Sequence, residues 1–275
     1  MPRIDDQFLQ TAVYLYKDRK DAKENANAGA SGFVVYHEST HFTGMPYYIA
    51  TNAHVIRDGF SVIRINKKSE GYDVLESHPA MWLEHPDGDD LAICPIMLFP
   101  DHDFNFVRDT GCVDEDKLRQ FNIGVGDEVF MVGRFIDHSG ERRNIPIARF
   151  GNIAMMPLEE IENGIGKKRK HFLVEVRSVS GFSGSPVFVY DVPTSPSLDN
   201  VRPERFTSLL LGIDCGHSPK REKQLSAGIA AVVPAWRLVE LLEHPKMKRM
   251  REEKEIEVKK EMEESRRIIP DASCH

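Results

Sequence analysis

The sequence predicts an all-β protein closed by a C-terminal helix, and three observations carry that prediction. Short runs rich in β-branched and aromatic residues recur from Phe8 to Val233, each bounded by polar or glycine-containing breaks. They are not interleaved with helical patterns, which disfavours a βαβ fold and leaves barrels or sandwiches. A strong helical periodicity begins only after Pro234.

In chain order, Phe8–Tyr16, Gly32–His37, Pro46–Ala53, Phe60–Asn66, Gly71–Glu76, Met81–Glu84 and Leu91–Ile96 read as strands. The charged, alanine-rich Lys17–Ala30 reads as an exposed hairpin loop, with a helical turn as the alternative. Residues 97–125 are acidic and irregular and read as the crossing between two β-domains. Strands resume at Glu128–Phe135, Ile145–Met155, Phe172–Val176, Pro186–Tyr190, Phe206–Asp214 and Gly228–Val233. Pro234 suits the opening of a helix, and Trp236, Leu238, Val239, Leu241 and Leu242 give that helix an apolar face. From Lys246 to Arg267 the chain is almost wholly charged, with opposite charges four apart at Lys260 and Glu264. It reads as a solvated helical extension, because Ile256, Val258 and Met262 are too few for a heptad seam. The expected domains are 1–115, 116–243 and a tail over 244–275.

Composition narrows the function classes. At 275 residues with 41% hydrophobic content, the chain can bury real cores. A net charge of -7 gives no general basic footprint, so no nucleic-acid partner is expected. No apolar run approaches the ~18 residues that signal a membrane span. The opening MPRIDDQFLQ carries two early acids and does not read as a secretory signal. Cys94, Cys112, Cys215 and Cys274 lie far apart without metal spacing, and no histidine pair forms a metalloprotease motif. Cys94 and Cys215 sit in strand-like runs and read as buried thiols. The expectation is a reducing cytoplasm, with no metal and no cofactor.

The chemistry lies in the order of three motifs: Thr51-Asn52-Ala53-His54-Val55, Asp89-Asp90-Leu91-Ala92-Ile93 and Gly181-Phe182-Ser183-Gly184-Ser185-Pro186. A serine hydroxyl is a poor nucleophile at neutral pH and needs an adjacent base. Histidine has the pKa for that task, and a carboxylate must hold its tautomer and stabilise the imidazolium. Ser183 is the expected nucleophile, His54 the base and then the acid, and Asp90 the orienting carboxylate. Asp90 is preferred to Asp89 because it directly precedes the apolar strand; Asp89 is the alternative. The Gly181 and Ser183 amides are the expected oxyanion donors, since a tetrahedral intermediate needs converging N–H groups. Glycine at 181 permits the tight turn, and Gly184 lets a substrate backbone approach.

These motifs resemble those of the chymotrypsin-like (trypsin-fold) serine peptidases. The likeness is greatest to the bacterial trypsin-like group that includes the periplasmic heat-shock proteases, and it spans roughly residues 8 to 243. Ser31-Gly32-Phe33 with Tyr48–His54 resembles the glycine-rich and histidine strands of that group. Gly126-Asp127-Glu128-Val129-Phe130 resembles the opening of its second barrel, and Gly228–Pro234 its last strand. The resemblance implies two six-stranded antiparallel β-barrels, peptide-bond hydrolysis through an acyl-enzyme, and a protein or peptide substrate. It departs from the pattern in four places, one of them Ser185 where a second glycine is commoner. No cysteine follows His54, Phe182 replaces the acid that pairs with a freed N-terminus in zymogens, and the charged helix stands where a PDZ module would follow.

The resemblance also implies a specificity pocket. Arg177, six residues before Ser183, would lie at its base and favour an acidic side chain by charge-assisted pairing. The alternative is that Arg177 points outward or pairs with Asp214 or Glu175. Asp214, Cys215 and Gly216 would form one wall, and Gly228 to Ala230 another. The polar loop 157–170, whose equivalent senses effectors in the resembling proteases, and the C-terminal helix are the two candidate sites for a regulatory partner; a plain solvated hairpin is the alternative. Two other functions compete: a catalytically latent binding or scaffold module, and an α/β-hydrolase esterase. The serine comes last in the chain, which disfavours the esterase order.

Overall fold

The computed structural model describes residues 3–27, 29–38, 47–135, 138, 140–162, 168–176, 181–193, 206–216 and 228–268. The first half runs α1 (Asp6–Leu9), β1 (Ala12–Tyr16), α2 (Arg19–Glu24), β2 (Ala30–Tyr36), β3 (Tyr47–Thr51), α3 (Ala53–Arg57), β4 (Val62–Asn66), β5 (Tyr72–Glu76), β6 (Leu83–Glu84), β7 (Ala92–Pro95) and β8 (Val107–Arg108). The second half runs α4 (Glu115–Gln120), β9 (Glu128–Gly133), β10 (Ile147–Met155), β11 (Glu160–Glu162), β12 (Lys168–Lys170), β13 (Phe172–Glu175), β14 (Pro186–Pro193), β15 (Phe206–Asp214), β16 (Ile229–Pro234), α5 (Ala235–Leu242) and α6 (Pro245–Ile268).

The architecture is the expected all-β one with helices at its C-terminal end. The second half is a closed barrel in the order β10-β13-β16-β15-β14-β9. Its interior is a continuous apolar set that includes Val129, Met131, Ile153, Phe172, Val174, Phe182, Val187 and Val232. The first half is an eight-stranded sheet with a hydrogen-bonded path β5-β4-β1-β2-β3-β7-β6, and β8 pairs with β2 in parallel. Its strands bury both faces, so they read as apolar runs rather than alternating ones. Another apolar cluster joins the halves: Phe33 and Val35 of β2, Phe130 of β9 and Phe188 of β14 pack with Leu238 and Leu241 of α5. Phe8 of α1 reaches across to Phe130 and Phe188 with ring centroids 5.1 and 4.9 Å away.

Four local expectations change. Phe8 belongs to α1, capped by the Asp5 side chain on the Gln7 N–H, and the strand starts only at Ala12. Within Lys17–Ala30 the helical-turn alternative holds over the hairpin loop: Asp18 caps α2 at the Asp21 N–H and Ala22 is buried. The histidine strand ends at Thr51, and His54 sits in the first turn of α3. The charged extension is docked at its start: Met247 is fully buried, and Arg251 donates to the Tyr48 hydroxyl (2.9 Å) and the Leu242 carbonyl (2.8 Å). Arginine buries its stem while its head finds acceptors, so a charged sequence can still pack. No helix among the described residues is long and apolar enough to cross a membrane.

Candidate active site

Asp90 is bound to His54 twice. Its Oδ2 lies 2.6 Å from His54 Nδ1, and its Oδ1 accepts the His54 backbone N–H at 2.9 Å. The backbone bond exists because α3 begins at Ala53 and leaves its first N–H groups without helical partners. Asn52, at the N-cap, turns its side-chain amide to the Asp90 carbonyl (2.8 Å) and fixes the carboxylate from behind. At the other end of α3, Arg57 pairs with Glu84 of β6. Burial alone would lower the His54 pKa. The hydrogen bond and charge of Asp90 outweigh it, with help from Asp58 and Asp214, and hold the pKa above its ordinary value.

Ser183 lies in a tight turn closed by the Ser185 N–H on the Phe182 carbonyl (2.8 Å). Gly181 and Gly184 both have positive φ, 95° and 86°. Among the described residues neither the Gly181 nor the Ser183 N–H is taken by a hydrogen bond. The turn is strapped to the first half through Ser31 of β2. The Ser31 N–H donates to the Ser183 carbonyl (3.0 Å), and its hydroxyl donates to the Gly181 carbonyl (2.7 Å) while accepting the Arg134 N–H (2.9 Å). Thr51, three residues before His54, donates its hydroxyl to the Ser31 carbonyl at 2.8 Å. A Cβ on Gly184 would meet that carbonyl at 2.2 Å and the Thr51 hydroxyl at 2.3 Å. Two short strands and one turn thus bring the Ser183 segment against the segment that ends in His54.

The proposed pocket residues fall as follows. Gly216 abuts Ser183, with a built Cβ only 3.1 Å from the serine Oγ, and its N–H donates to Asp214 Oδ1 (3.2 Å). Asp214 is buried, accepts the Gly184 N–H on its carbonyl (3.0 Å) and acts electrostatically on His54. Cys215 packs its thiol toward the Ala231 carbonyl (3.2 Å), and burial pushes its pKa well up. Gly228 accepts the Val176 N–H (2.7 Å). Ala230 is buried in the barrel core beside Val174 and Val232. Arg177 lies outside the described residues. Of the loop 157–170, the antiparallel pair β11–β12 is described.

Asp89 faces away from His54 and belongs to a second cluster. Arg237 of α5 holds its Oδ2 with Nε at 2.7 Å and Nη2 at 2.6 Å, and reaches Asp87 and Glu240 at 2.5 Å each. His85, Asp87 and Glu240 lie close enough to suit a cation, but the guanidinium of Arg237 already fills that role. Ser31, Thr51, Asn52 and Arg237 are the residues that the sequence motifs did not single out as functional. Ser31, Thr51 and Asn52 at least lay inside quoted motifs, whereas Arg237 carried no signal beyond its place on an amphipathic helix.

The fold defines a class: it is that of the trypsin-like serine proteases. The MamO protease domain of Magnetospirillum magneticum superposes with a TM-score of 0.52 at 17% identity, covering 86% of this chain and 97% of that one. The active form of the Rv3671c protease of M. tuberculosis gives 0.51 at 16%, covering 86% and 81%. Deg5 gives 0.50 at 17%, covering 85% and 88%. No protein-family model and no curated protein matches the sequence.

Proposed function

We propose that this chain is a serine endopeptidase acting on protein or peptide substrates through Ser183, His54 and Asp90. The observation that supports the reading is the double grip of Asp90 on His54, together with the Ser31–Thr51 strap that ties the Ser183 turn to the strand leading to His54. His54 Nδ1 carries its proton toward Asp90, which leaves Nε2 unprotonated and able to accept the Ser183 hydroxyl proton. Ser183 Oγ then bonds the scissile carbonyl carbon. The carbonyl oxygen becomes an oxyanion facing the Gly181 and Ser183 N–H groups, which have no other partner among the described residues. His54 returns the proton to the leaving amine as the C–N bond breaks, and an acyl-enzyme remains. Water, deprotonated by His54, releases the acid and restores the serine. No step calls for a metal or cofactor.

Three finer parts belong to this proposal. Arg177 at the pocket base selects an acidic residue before the scissile bond, and cleavage of a peptide library with a basic or apolar preference would overturn that. A protein partner acts through the 157–170 hairpin or the C-terminal helix. The compartment is the reducing cytoplasm, in keeping with free thiols at Cys94, Cys112 and Cys215.

The deciding experiment is fluorophosphonate labelling of the purified protein, read by intact mass against Ser183→Ala. One adduct that vanishes in the variant supports the peptidase. Absence of an adduct, with the fold intact, favours a latent trypsin-fold scaffold instead.

A further inference from the structure

Asp89 and Asp90 are chain neighbours with opposite partners. Asp90 turns to His54, and Asp89 turns to the far side of the same loop. The Asp89 side chain is only 3% exposed, so its charge depends on what the protein supplies. Arg237 supplies two N–H groups to one oxygen. Arg169 of β12 stands 3.9 Å from the other oxygen and donates to the Asp87 carbonyl, while His85 lies 3.4 Å from Oδ2. Burial and the charge of Arg237 both lower the His85 pKa, which keeps that ring neutral. The backbone of the loop is pinned as well: the His85 N–H donates to the Leu91 carbonyl, and the Leu91 N–H to the Asp89 carbonyl (3.0 and 2.8 Å).

The ties on the far side of the loop centre on Asp89 and Asp87, and the principal ones come from Arg237 of α5, 148 residues from Asp89. We propose that Arg237 is a positioning residue for Asp90, holding the loop 85–91 so that the Asp90 carboxylate stays on His54. The proposal rests on the catalytic reading of Asp90. Arg237 touches neither Asp90 nor His54 by any contact seen among the described residues, so it acts through the loop side chains it holds, Asp89 foremost, with Asp87 and His85 beside it.

The test exploits a sign. Removing a positive charge near His54 would, through space, raise the His54 pKa. Losing Asp90 from Nδ1 would lower it, because Asp90 is what outweighs burial there. Asp58 and Asp214, the other charges acting on His54, are unchanged by the substitution, and His171, which feels Asp89 and Asp90, is followed as a second ring. In Arg237→Met, imidazole NMR titration should show the His54 midpoint falling. The turnover number should drop roughly 10- to 100-fold with KM unchanged. Should Arg237→Met fail to fold, Asp89→Asn combined with Arg237→Met removes both charges together and gives the same readout. A His54 midpoint that stays at the wild-type value or rises, in either folded variant, overturns the proposal. Fluorophosphonate labelling of wild type is read alongside. If Ser183 takes no label, the peptidase reading fails, while the NMR titration still decides the role of Arg237.

Discussion

Ser31 and Ser183 are joined by a backbone hydrogen bond of 3.0 Å that crosses from the first half of the molecule to the second. The Ser31 side chain adds two more bonds in a fully buried position, one to the Gly181 carbonyl and one from the Arg134 N–H. Ser31→Ala leaves the buried Arg134 N–H and the half-buried Gly181 carbonyl without that partner. The expected loss is about 1–3 kcal/mol of stability, visible in the urea midpoint. Labelling at Ser183 should slow as well, since the freed Gly181 carbonyl lies beside the oxyanion donors.

Gly184→Ala should be worse. The position has φ 86°, and its new methyl would collide with the Ser31 carbonyl and the Thr51 hydroxyl. Left-handed strain and the clash together should cost at least about 2 kcal/mol, measured as a fall in thermal midpoint. The Ser183 turn and β3 would be prised apart, so labelling should be lost even below the new midpoint.

The rate of labelling or hydrolysis should climb with pH along a limb that lies above the ordinary histidine value of 6.5, because only neutral His54 can accept a proton and its pKa is raised. In Asp90→Asn burial dominates, the limb moves below 6.5, and the plateau falls by on the order of 10⁴. Stability follows the opposite course. The raised His54 pKa contributes stability that is fully present below the unfolded value and lost as pH rises through the folded one. The His54–Asp90 coupling measured by a double-mutant cycle should therefore be larger at pH 5.5 than at pH 9.

Burial pushes the Cys94 and Cys112 thiols up to about 12. Neither should react with iodoacetamide at pH 8 in the native protein, and both should react in guanidinium. Peptide mapping after alkylation checks this directly.

Met247→Ala should cost about 2–5 kcal/mol, because the side chain is fully buried where α6 meets the body. Ile256→Ala, at a position 55% exposed further along the same helix, should change stability by less than about 0.5 kcal/mol. A melting series on the two variants separates the docked start of the helix from its solvated remainder.

Much of the architecture was legible in the residues themselves. The β-branched runs Leu91–Ile96 and Glu128–Phe135 read as strands, and the strands Ala92–Pro95 and Glu128–Gly133 lie within them. Caps were harder. Asp5 and Asp18 start helices that a strand or loop reading absorbed, because one turn of helix leaves little periodicity to detect. At the candidate site, the preference for Asp90 over Asp89 came from one local argument, adjacency to the apolar strand. The partner of Asp89 could not be inferred, since a charge pair separated by 148 residues leaves no local pattern. The docking of Arg251 was hidden for a different reason: a run of lysine, arginine and glutamate looks solvated whether or not one of its members finds a buried tyrosine hydroxyl.

The tie between Asp89 and Arg237 also orders events in time. A ribosome releases α3 with His54 and the Asp90 loop long before it reaches α5. Until then Asp89 lacks the Arg237 guanidinium and has only Arg169 nearby at 3.9 Å, which favours an open loop. The chain therefore completes its proposed cutting edge only when nearly all of it is synthesised, in the same interval in which β16 closes the second barrel.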